Sequence, residues 1–70
     1  MANKQITKKL TVVYISLEMG FWGLKDQAGN QYEPINLPKK HQKEGKKVEL
    51  RLELTGEESM NMWGSLVKVL

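Results

Sequence analysis

The stretch Val48-Glu49-Leu50-Arg51-Leu52-Glu53-Leu54-Thr55 alternates apolar and polar residues without a break. An extended chain turns successive side chains to opposite faces, whereas a helix would spread these leucines around its circumference. The segment therefore reads as a β-strand, with Val48, Leu50, Leu52 and Leu54 turned to a core and Glu49, Arg51 and Glu53 to water. One strand cannot be stable alone, so the rest of the chain must supply partners for it.

Those partners are legible. In Val12 to Met19 the set Val13, Ile15, Leu17, Met19 is apolar while Tyr14, Ser16 and Glu18 face the other way, which predicts a strand with the first set inside. Met60 to Leu70 also alternates, but Met60 and Met62 fall in one phase and Val67 and Val69 in the other. A phase change needs an extra residue, and Gly64 lies where a bulge would sit. Phe21–Lys25 and Gln31–Ile35 flank the polar loop Asp26-Gln27-Ala28-Gly29-Asn30 and predict a hairpin. Pro34 argues for an edge position in the second of these strands. Thr55-Gly56-Glu57-Glu58-Ser59 predicts a further hairpin turn. Asn36 to Gly45 has no period of two. Asn36 is placed to cap one or two helical turns, with Pro38 in the first turn and Gly45 closing the end.

The chain has 70 residues and no cysteine, hence one small domain with a thin core and no disulfide to reinforce it. Residues 1–9 are expected to be loosely ordered. Five strands with a short helical turn between strands 3 and 4 predict an all-β, oligonucleotide/oligosaccharide-binding (OB)-like barrel. An SH3-like barrel, the nearest rival, expects its helical turn before the last strand instead. The spaced-out apolar residues of the N-terminal segment give no signal peptide and no transmembrane span, which predicts a cytoplasmic protein.

Gly20-Phe21-Trp22-Gly23-Leu24, Tyr32-x-Pro34-x-Asn36-Leu37-Pro38, Gly45-x-x-Val48 and Met62-Trp63-Gly64-x-x-Val67-x-Val69 together resemble a small group of uncharacterised prokaryotic OB-like β-barrel proteins. The resemblance covers roughly residues 12–70. It implies a fold and no activity, and the lysine-rich run 39–47 lies outside its pattern.

Two features point to a surface. Consecutive strand residues face opposite ways, so Phe21 and Trp22 cannot both line one platform. Flanking glycines favour Trp22 and Trp63 as core wedges, which leaves Phe21 and Tyr32 as the aromatics expected to be exposed. Five lysines (Lys39, Lys40, Lys43, Lys46, Lys47) fall within residues 39–47, against a net charge of only +3 for the chain. A charge run is ordinarily a solvated loop, and Glu44 interrupts this one, yet five lysines can also contact phosphates.

Catalytic chemistry finds little support. His41 is the single histidine, no cysteine can join it on zinc, and Asp26 is the single aspartate, expected at a hairpin tip. The glutamates alternate outward or sit in a turn, where burial does not tune a pKa. No cofactor is expected. The reading is a non-catalytic binding or interaction module with an unknown protein or ligand partner. The alternative is a single-stranded nucleic-acid binder using Phe21, Tyr32 and the 39–47 lysines. A third class is a structural subunit pairing through an exposed strand edge.

Overall fold

The computed structural model describes residues 4–17 and 19–70; residues 1–3 of the segment expected to be loosely ordered, and Glu18 of the first predicted strand, lie outside the described residues. Five strands, β1 (Lys4–Ile15), β2 (Phe21–Lys25), β3 (Gln31–Pro34), β4 (Lys47–Glu58) and β5 (Ser65–Val69), close into a barrel in the order β1-β2-β3-β5-β4. All neighbours are antiparallel except β3 and β5, which run parallel. One 3-10 turn, Lys39–His41, separates β3 from β4. The all-β barrel with a short helical turn after the third strand is thus the architecture of the chain.

β1 begins earlier and ends earlier than its sequence pattern predicts. Residues 4–9 are its first half, paired with β4 from Lys4–Leu54 to Lys9–Glu49. Its second half pairs with β2, from Thr11–Lys25 to Ile15–Phe21. Thr11 is paired on both sides, with Lys25 and with Lys47, and marks the point where β1 passes from one partner to the other. The phase also differs. Leu10 and Val12 are buried, Val13 and Ile15 are half-buried on the opposite face, and Leu17 and Met19 are exposed beyond the strand. Apolar residues occupy both phases of Thr11–Ile15, so period two cannot decide; the pairing of Val12 with the fully buried Leu24 does.

In β4 the alternation holds in phase: Leu52 is fully buried, Val48, Leu50 and Leu54 pack against the core, and Glu49 and Arg51 are exposed, while Glu53, expected in water, is half-buried. The predicted turn at 55–59 is not one. Gly56 takes φ +83° at a shift of register between Leu54 and Glu58, so its left-handed backbone serves a bulge and the strand runs on. The reversal comes at 59–64, where the Ser59 N–H donates to the Gly64 carbonyl and the Met62 N–H to the Ser59 carbonyl. Met60 and Met62 are exposed on that turn, and the apparent phase change of the last strand is the turn itself.

Pro34 is not on a free edge, because β3 pairs with β5 through Pro34–Val67. The register of β2 and β3 stops at Tyr32, so the ladder toward β2 has already ended where the missing N–H would matter. Asn36 caps no helix. Its side-chain amide donates to the Val69 carbonyl and its oxygen accepts the Val69 N–H, at 2.9 and 2.7 Å, doing the work of one more ladder residue beside β5. The core is Leu10, Val12, Leu24, Tyr32, Leu37, Leu52, Val67 and Val69, to which every strand contributes.

Candidate functional site

The outer face of β2 carries Phe21, Gly23 and Lys25, because Trp22 and Leu24 turn inward. Opposite them on β1 stand Ile15, Val13 and Thr11. Trp63 joins this face from the β4–β5 turn. Its indole lies over Gly23, where a side chain would stand, and meets the Phe21 ring edge to face at 5.9 Å and 75°. Gly64 lets the turn approach so closely, since a Cβ there would fall 2.5 Å from the Gln31 carbonyl oxygen. Trp63 is therefore half-buried outside the barrel and is not the core wedge its flanking glycine suggested. Trp22 does pack against the core, with Tyr14 edge to face at 5.1 Å.

The residues singled out from sequence separate. Phe21 lies on the outer face, half-buried against Trp63. Tyr32, expected to be exposed, is buried in the core, since it pairs with Leu24 and follows its phase. Its ring is closed to stacking. Lys39 and Lys40 are exposed on the 3-10 turn and Lys43 just after it. Lys46 is half-buried, and its Nζ donates to the Lys40 carbonyl at 2.7 Å, so that charge is tied to its own loop. Glu44 lies in the same loop and accepts the Tyr14 N–H. Only Lys47, the first residue of β4, reaches the outer face, opposite Thr11.

Sequence reasoning missed Lys9, Lys25 and Trp63 as members of this face. Lys25 and Lys47 flank Thr11 on the two neighbouring strands, and Lys9 is two residues along β1 on the same side. An open groove of about 310 Å³ runs here, lined by Lys9, Thr11, Lys25, Gln27, Lys47 and Glu49 among others. None of its three lysines makes an ion pair among the described residues. The neighbouring carboxylate of Asp26 is already committed. It accepts from the Ala28 and Asn30 N–H groups, from the Asn30 side chain and from Lys8 at 3.4 Å. Asn30, first through its side-chain amide, holds the Asp26 carboxyl below its ordinary pKa; partial burial pushes up, and Lys8 assists the lowering.

His41 lies outside this face. Loss of hydration, then the charges of Lys46 and Lys40, hold its imidazole below the usual value, and its Nδ1 has no hydrogen-bond partner. Among the described residues no cluster of three or more His, Cys, Asp or Glu is placed to hold a metal, and no helix is long and apolar enough to cross a membrane.

Comparison with known proteins adds no assignment: the chain matches no family model, no curated protein and no solved structure.

Proposed function

We propose that the chain is a non-catalytic, OB-like binding module that takes single-stranded nucleic acid across the outer face of β1, β2 and the start of β4. The observation that carries this reading is the placement of the Phe21–Trp63 pair on the same face as Lys25, Lys47 and Lys9. Stacking of bases on aromatic rings and attraction of phosphates to lysines are the two terms that hold single strands without sequence preference. Phe21 is four residues from Lys25 along β2, about 13 Å in an extended strand, so the two kinds of contact sit side by side rather than on top of each other.

Relative to the residues singled out from sequence, Trp63 takes the place of Tyr32, and Lys9 and Lys25 take the place of Lys39, Lys40, Lys43 and Lys46. Phe21 and Lys47 remain. Closure of β3 onto β5 speaks against the third class, a subunit that assembles through an open strand edge. The test is fluorescence anisotropy with a labelled single-stranded oligonucleotide at low salt. Binding weakened by Phe21→Ala supports the reading, and no binding at all overturns it.

A further inference from the structure

The groove around Thr11 differs in kind from the aromatic half of the face. Three lysines converge on one hydroxyl-bearing residue, and among the described residues the only uncommitted carboxylate lining the groove is Glu49. The other, Asp26, has its charge offset by Lys8 and its oxygens occupied by three N–H donors. About two positive charges are left in excess at a single place, and directly opposed strand residues hold their Cβ atoms about 5 Å apart. A phosphodiester carries one negative charge and needs one lysine. A phosphomonoester carries between about 1.5 and 2 at neutral pH, with three acceptor oxygens for several donors.

We infer that the Thr11 groove is a subsite for a phosphomonoester dianion, with Lys25, Lys47 and Lys9 as its cations and the Thr11 hydroxyl as a central donor. On the reading of the previous subsection, on which this inference rests for its biological source, the dianion is the terminal phosphate of a single strand whose bases lie on Phe21 and Trp63. A free phosphorylated small molecule offers the same chemistry. The site would then distinguish a phosphorylated end from a hydroxyl end and would anchor the strand in one register. Thr11 supplies the position because it is the one β1 residue with partners on both β2 and β4.

The experiment compares one labelled oligonucleotide with a 5′-phosphate, a 3′-phosphate or hydroxyl ends, alongside titration of the amide spectrum with inorganic phosphate. A terminal phosphate on one end is expected to tighten binding about tenfold, the size of one added charge-assisted hydrogen bond. That gain should shrink as the pH falls below about 6, where the monoester becomes a monoanion. Lys25→Gln with Lys47→Gln should abolish the gain, whereas Lys39→Gln with Lys43→Gln, which removes the same charge from loop residues that do not line the groove, should keep it. Dispersed amide spectra for both double variants exclude unfolding as the cause.

Equal affinity for all three ends overturns the subsite and leaves the single-strand reading standing. Inorganic phosphate that shifts the amides of Thr11, Lys25 and Lys47, with no oligonucleotide bound, keeps the subsite, assigns it to a small phosphorylated molecule and overturns the single-strand reading. No response to phosphate or to any oligonucleotide overturns both.

Discussion

The indole of Trp63 occupies the space over Gly23 that a side chain would need: a Cβ at Gly23 would fall 2.6 Å from Cζ3 of that ring. The two residues are forty positions apart, on β2 and on the β4–β5 turn, and the missing side chain of one is the seat of the other. Gly23 is not needed for a left-handed backbone; it is needed for room. Replacing it by Ala or Val must lift the indole or bend β2, at a cost of about 1–3 kcal/mol. Gly23→Val should lower the melting temperature and shift Trp63 emission to the red as the ring enters water. An unchanged melting temperature would mean that nothing presses on that seat.

Trp63 itself should be less costly to remove than a core tryptophan. It covers the barrel from outside and touches Phe21 and β2, whereas the inner face of β2 is closed by Trp22 and Leu24. Trp63→Ala should cost about 2 kcal/mol, roughly half of what truncation of a core aromatic costs. The variant is expected to stay folded with a lowered melting temperature. Complete unfolding would place the indole in the core after all.

How far the sequence carried this structure can be seen in three residues. Leu52 was legible because its strand has apolar residues in only one phase, so one face had to be buried. Val12 was not, because Val12 and Val13 compete for the core and only the partner strand chooses between them. Tyr32 was misread for a related reason: its exposure depends on facing Leu24 across β2, a long-range register that the local pattern of β3, only four residues long, does not contain. The candidate face suffered the same way. The lysines adjacent in sequence, residues 39–47, mostly stay on their loop, while Lys9, Lys25 and Lys47, far apart in sequence, meet because Thr11 is paired twice. Side-by-side placement across strands carries no signature along the chain.

The core should respond as its burial ranks it. Leu52 and Leu24 are fully buried and central to the cluster, so either one changed to Ala should cost about 2–5 kcal/mol. That is most of the stability available to a domain of this size. Leu50, in the same phase but only half-buried, should cost distinctly less. Urea midpoints for the three variants provide the comparison, and equal losses at Leu50 and Leu52 would contradict the burial pattern of β4.

Acidification should weaken the fold in two steps. His41 has its pKa held below the ordinary 6.5 by lost hydration and by Lys46 and Lys40. Its folded state therefore resists protonation, and the stability present above pH 6.5 is lost as the pH falls through the folded value. Asp26 is likewise held below its ordinary 3.8, chiefly by Asn30. Its contribution is complete above 3.8 and disappears as the pH falls through its own lowered value. Melting temperatures measured from pH 8 downward should drop first in the histidine range, and His41→Gln should flatten that first drop. A first drop that survives in His41→Gln would assign it to another group.

Salt dependence is the sharpest test of the binding face. Each phosphate neutralised on a single strand contributes about −0.7 to the slope of log affinity against log salt, so with a hydroxyl-ended strand, which has only phosphodiesters to offer Lys9, Lys25 and Lys47, the three together should give about −2. Lys25→Gln with Lys47→Gln leaves one of the three and should flatten the slope to about −0.7. Phe21→Ala removes a stacking surface and no charge; it should lower affinity by about 1–3 kcal/mol and leave the slope unchanged. Lys40→Gln with Lys43→Gln sets the competing account against this one. Those residues belong to the loop whose Lys46 is tied to the Lys40 carbonyl, and the slope should survive their loss. If the loop pair flattens the slope and the strand pair does not, the nucleic acid runs over the barrel end, and the outer face of β1 and β2 has been misassigned.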